Sequence, residues 1–74
     1  MENMYKIYGQ GICPFCLRAK EYLNSKLIAF EYIDLSMNDS AMQMFRDKGL
    51  KTVPQIWDDK GNHIGGYQEL IEVV

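Results

Sequence analysis

The chain opens on a short apolar run, "MYKIYG" (4–9), rich in tyrosine and isoleucine and closed by a glycine, which predicts a strand. The period then changes. From Pro14 to Lys26 the apolar positions Phe15, Cys16, Ala19, Tyr22, Leu23 and Leu27 recur at helical spacing, and Arg18, Glu21, Asn24 and Ser25 fill the opposite face. Pro14 suits the first turn of such a helix, where no amide donor is needed. "AFEYIDL" (29–35) is apolar on both faces and predicts a second strand, inside a covered sheet. "SMNDSAMQMFRDKGL" (36–50) predicts a second helix with Ala41, Met44 and Phe45 inward. Ser36, Asn38 and Asp39 are candidates to cap its start, and acidic Asp39 also suits the positive end of the helix dipole. Gly49 is placed to end it in the left-handed conformation, with Leu50 packing back on Phe45.

In the second half "VPQIWDD" (53–59) predicts a third strand, "DKGN" (59–62) a hairpin turn and "HIGG" (63–66) a fourth strand. "YQELIEVV" (67–74) predicts a closing helix of about two turns. The order β-α-β-α-β-β-α predicts an α/β protein with parallel pairing in its first half and an antiparallel hairpin in its second. The expected result is a mixed four-stranded sheet flanked by helices on both faces. No repeat or linker-like stretch interrupts the 74 residues, so residues 1–74 are read as one domain. A domain this short buries about 60% of its unfolded surface, so its core is modest.

Composition narrows the function classes. With 47% hydrophobic and 24% charged residues the chain is ordinary for a globular protein. A net charge of −2 argues against nucleic acid as a partner. No run approaches the ~18 apolar residues of a membrane span. "MENMYKIYGQ" carries polar and acidic residues where an export signal needs an apolar stretch, so the expected location is the cytoplasm. In that reducing compartment a close cysteine pair points to catalysis or metal rather than a permanent disulfide.

Cys13 and Cys16 are the only cysteines. A staple closing so short a loop stabilises little, because the gain shrinks with loop length. A zinc site needs four ligands, and beyond the pair only His63 and carboxylates remain. Thiol–disulfide exchange fits better. Cys13 falls at or just before the first residue of the helix, where unpaired amides and the dipole favour a negative sulfur. Cys16, three residues on, lies on the same side, one turn inside and less exposed. Exposed Cys13 then attacks, and shielded Cys16 resolves the mixed disulfide.

Three blocks in order, "CPFC" (13–16), "TVPQI" (52–56) and "GGYQEL" (65–70), make the chain resemble the glutaredoxins of the thioredoxin-fold superfamily from Tyr5 to Leu70. The resemblance implies a cis Val53–Pro54 peptide beside the cysteines and a glutathione site made by Gln10, Phe15, Lys51, Thr52, Val53, Pro54, Gly66, Tyr67, Gln68 and Glu69. The Val53 backbone would pair with the cysteinyl part of glutathione. The Gln68 and Glu69 amides would take its γ-glutamyl carboxylate, the Glu69 side chain its ammonium, and Lys51 its glycyl carboxylate. Phe15 replaces the family's usual tyrosine, Gln10 its usual cation, and Gln68–Glu69 its usual Ser/Thr–Asp. Glutathione is implied as electron donor, with no metal. Disulfide-bearing or glutathionylated proteins, ribonucleotide reductase among them, are the implied partners of a monomer.

Two rivals remain at this level. One is a glutaredoxin-like donor served by thioredoxin reductase. The other is a carrier of a [2Fe–2S] cluster shared through Cys13 and glutathione, against which Pro14 stiffens the loop. Elsewhere the readings are structural. Met37, Met42 and Met44 are filler, Trp57 is half-buried packing, and His63 is a surface residue of the hairpin. Tyr67 is the one further aromatic with a ligand role.

Overall fold

Alternation along the first strand decides how the layers stack. In the computed structural model, which describes residues 4–74, β1 (Tyr5–Gly9) sends Tyr5 and Ile7 to one side of the sheet and Tyr8 to the other. Residues 1–3, the start of the stretch read for an export signal, lie outside the described residues. α1 (Pro14–Ser25), β2 (Phe30–Asp34), α2 (Asp39–Lys48), β3 (Gln55–Trp57), β4 (His63–Gly65) and α3 (Tyr67–Val73) follow in the expected order. The sheet order is β2-β1-β3-β4. β1 runs parallel to β2 and antiparallel to β3, and β3 is antiparallel to β4.

Each side of the sheet has its own core. α1 and α3 cover one side, where Ile7, Ala19, Leu23, Ile56 and Leu70 are fully buried. On the other side Leu35, Ala41 and Phe45 form a smaller cluster, with Tyr8, Ile33, Leu50 and Val53 packed against it. β2 divides its residues between the two, Phe30 and Tyr32 to the first and Ile33 to the second. Its apolar character on both faces is thus explained, although in the hydrogen-bonding direction it is an edge strand.

Three boundaries differ from the sequence expectation. The stretch 36–50 is not one helix. Leu35–Met37 form a 3-10 turn, because the Asp34 carboxylate accepts from the Ser36 amide at 2.9 Å and its hydroxyl at 2.6 Å. Of the three candidate caps, Asn38 does the work, its side-chain oxygen accepting from the Ala41 amide at 3.0 Å. The third strand is shorter than 53–59. Pro54 has no amide to give a ladder. At the other end Asp58 is drawn into the turn, its carboxylate accepting from the Lys60 and Asn62 amides at 2.9 and 2.8 Å. The hairpin is therefore organised from Asp58, just ahead of the predicted "DKGN", with an irregular step in pairing at Ile56/Trp57. Gly49 ends α2 at φ 71°, and the Leu50 amide donates to the Phe45 carbonyl at 2.9 Å, as expected.

Candidate active site

The chain leaves β1 at Gly9, turns through Gly11 at φ 57°, and enters α1 with Cys13 as the residue just before the first helical one. Cys13 is extended (φ −137°, ψ 106°), which swings its side chain back over the first turn. There its sulfur accepts from the Cys16 amide at 3.2 Å. The Cys13 sulfur thus occupies the place that serine or asparagine takes at an ordinary helix start. Across the cleft the Val53–Pro54 peptide is cis, as the resemblance implied, and the Val53 carbonyl lies 3.9 Å from the Cys13 sulfur.

Cys16 sits in a different environment, only 2% exposed on the inward face of the helix. Burial pushes its thiol up to about 12, and the hydrogen bond and charge at Cys13 push in the same direction. The Gln10 backbone amide and the Tyr32 hydroxyl pull the other way. In the reduced protein Cys16 is therefore a neutral thiol waiting for Cys13 to change state. Part of the upward push comes from Cys13 itself and disappears once that sulfur is in a disulfide.

Beside Cys13 lies a groove of about 300 Å³ lined by Phe15, Thr52, Val53, Pro54, Gly66, Tyr67, Gln68 and Glu69. Residues from all three sequence blocks meet there. The rings of Phe15 and Tyr67 stand 6.0 Å apart along it, and the guanidinium of Arg18 lies 5.3 Å from the Phe15 ring centroid. A Cβ at Gly66 would sit 3.3 Å from a Glu69 carboxylate oxygen and 3.4 Å from the Pro54 carbonyl oxygen, so a larger side chain there would crowd this part of the lining. Thr52 is held from below, its hydroxyl accepting at 3.0 Å from the side chain of buried Gln55. Gln55 is in turn 2.7 Å from His63, whose ring stacks on Trp57 with centroids 4.3 Å apart. The hairpin histidine thus braces the floor of the site through Gln55.

Two candidates stand apart. Gln10 and Lys51 are exposed and do not line the groove. Glu69, expected to hold an ammonium, already uses one carboxylate oxygen to accept the Gly66 amide at 2.8 Å. With glycine at the cap there is no side chain to satisfy the helix start, so the glutamate three residues on does it. Tyr32 carries no sequence signal beyond its strand, yet its hydroxyl lies beside the Cys16 sulfur at the side-chain-free Gly9. No local motif announces it, because the contact is made between β2 and α1.

Among the described residues no group of three or more His, Cys, Asp or Glu is placed to hold a metal ion. A cysteine pair at the start of the first helix, faced by a cis-proline from the third strand, on a mixed sheet with three helices, defines a thiol–disulfide oxidoreductase of thioredoxin-like fold. The glutaredoxin family model matches residues 6–64, and the chain belongs to that family.

Its relatives agree in sequence and shape. It is 39% identical over 66 residues to glutaredoxin 3 of Escherichia coli strain K12, covering 88% of this chain and 78% of that protein. It is 37% identical over 70 residues to glutaredoxin 1 of Rickettsia conorii, covering 90% and 68%. Among solved structures it is similar to glutaredoxin 1 from Francisella tularensis complexed with cacodylate, with a TM-score of 0.70, 34% identity and coverage of 93% and 88%. The buckwheat glutaredoxin–glutathione complex matches with a TM-score of 0.79 at 26% identity, covering 95% of this chain and 66% of that one.

Proposed function

We propose that the protein is a glutathione-dependent dithiol reductase of protein disulfides and glutathione mixed disulfides, working in the cytoplasm. The carrying observation is the groove, which runs from the Val53 carbonyl beside Cys13 to Gln68 and Glu69 and suits an extended, tripeptide-sized thiol. A related glutaredoxin has been solved with glutathione bound, which supports the choice of ligand.

In this reading Cys13 attacks a substrate disulfide, forms a mixed disulfide and releases the first thiol. Cys16 then attacks the Cys13 sulfur, so the second thiol leaves and a Cys13–Cys16 disulfide remains. Two glutathione molecules return the pair to the dithiol, through a Cys13–glutathione mixed disulfide held along the groove. On a glutathione mixed disulfide, Cys13 with a second glutathione suffices. The Val53 backbone, which lies outside the β3 ladder, orients the incoming cysteinyl unit by strand-like pairing, and Phe15 and Tyr67 flank it.

A disulfide-reduction assay coupled to glutathione and glutathione reductase tests this directly. Cys13→Ser is expected to lose activity by at least ~10³-fold on both substrate classes. Cys16→Ser is expected to keep activity on glutathione mixed disulfides and lose it on protein disulfides. Turnover supported by thioredoxin reductase and not by glutathione would replace this reading with the reductase-served donor.

A further inference from the structure

Behind the cysteine pair, on the side away from the groove, Gly9, Tyr32 and Lys20 form a small arrangement that the exchange steps above do not use. Gly9 ends β1 directly under Cys16. A Cβ there would lie 2.8 Å from the Cys16 sulfur and 2.9 Å from Cε1 of Tyr32, and would meet the Tyr32 hydroxyl. The missing side chain leaves a notch onto which both the hydroxyl and the sulfur border, each within 3 Å of the position a Cβ would take. Tyr32 arrives from β2, where pairing of Ile7 with Tyr32 and Gly9 with Asp34 fixes its height beside the notch. On its outer side the Lys20 ammonium stands 4.3 Å from the ring centroid.

We propose that the Tyr32 hydroxyl is the hydrogen-bond donor that holds the negative charge developing on Cys16 as it attacks the Cys13 mixed disulfide. This deepens the dithiol reading above and rests on it. In the step concerned the Cys16 sulfur gives up its proton to solvent and bonds to the Cys13 sulfur. The bond from Cys13 to the substrate sulfur breaks, and the substrate leaves as a thiolate that takes up a proton. Cys16 is oxidised, the substrate sulfur is reduced, and two electrons pass between them.

Cys16 needs help in this step because it is buried and its thiol resists ionisation. Tyr32 can supply it because its own phenol stays protonated. Burial first, then the negative charges of Cys16, Asp34 and Cys13, push its ionisation upward, so it remains a donor throughout the working range. These are the charged and titratable groups around the sulfur: Cys13 on the helix start, Tyr32 and Asp34 on β2, and Lys20 on α1. The cation over the ring face draws electron density from the phenol and strengthens it as a donor. A hydrogen bond to a developing anion is about twice as strong as a neutral one, which sets the expected scale.

The test uses Tyr32→Phe, which keeps the ring and its place under Lys20. The reduced full-length protein is mixed in stopped flow with an aryl disulfide whose released thiol is coloured. The first equivalent of colour reports attack by Cys13 and the second reports resolution by Cys16. Tyr32→Phe is expected to slow the second phase roughly tenfold at neutral pH. Its rate–pH profile should be displaced to the alkaline side, so that the deficit closes as pH rises. Lys20→Met is expected to move the same profile in the same direction by a smaller factor. A second phase with wild-type rate and profile in Tyr32→Phe overturns the proposal, and so does equal slowing at every pH, which marks a structural role. Absence of a second phase in the wild type would instead remove the dithiol reading, and this inference with it.

Discussion

α1 and α2 are stabilised by opposite means. α2 carries nearly every local device a helix has: Asn38 caps it through its side chain, Asp39 sits in the first turn, Arg46 and Lys48 in the last, and Gly49 ends it in the left-handed region. α1 has few. It has no acidic residue in its first turn and no basic one in its last, and the left-handed position after it is taken by Leu27 at φ 59°. Its cap is a cysteine, a poor acceptor beside asparagine or serine. What α1 has instead is packing, since Ala19 and Leu23 are fully enclosed by Ile7, Ile56 and Leu70. The difference teaches where function displaced stability. A nucleophile that uses the free amides of a helix start must itself occupy the cap, and burial one turn further in makes good the loss.

Three substitutions probe this contrast. The largest effect is expected at Leu23. Leu23→Ala should cost about 3–4 kcal/mol, since the side chain is fully buried in the core and its removal leaves a cavity. Denaturant unfolding measures this, and a cost below that of removing a cap would break the contrast. Asn38→Ala should cost about 1 kcal/mol in the same experiment, because α2 leans on its caps. Smallest, and opposite in sign, Cys13→Ser should raise stability by about 0.5 kcal/mol while abolishing turnover, as serine is the better helix cap. Loss of both stability and turnover at Cys13 would mean that the thiol is not a compromised cap.

Nearest-neighbour chemistry was the legible part. Pro14 at a helix start, Gly49 past a helix end, Asn38 among the candidate caps and the deeper burial of Cys16 relative to Cys13 all follow from residues within one turn of each other. The resemblance carried further, to the cis bond at Pro54 and to eight residues that line one groove. What stayed hidden depends on which strand lies beside which. That β2 is an edge strand, and that Tyr32 lies beside Cys16, are fixed only once β1 and β2 are in register. Glu69 and Gln10 show a second limit. Each residue type fits a ligand role, and what the sequence does not show is that Glu69 also serves its own helix start while Gln10 lies outside the groove lining. Asp58 was passed over for the glycine-bearing tetrapeptide beside it, though its carboxylate gathers the turn.

The hydrogen bond from the Cys16 amide to the Cys13 sulfur has a practical consequence. Because the donor is main chain, replacing the Cys16 side chain leaves it in place. In the proposed exchange the attacking sulfur keeps its partner while the thiol that releases the cargo is gone. A Cys16→Ser protein should therefore work as a snare, stalling with each natural client covalently attached to Cys13. The mass of what it holds would then name the client.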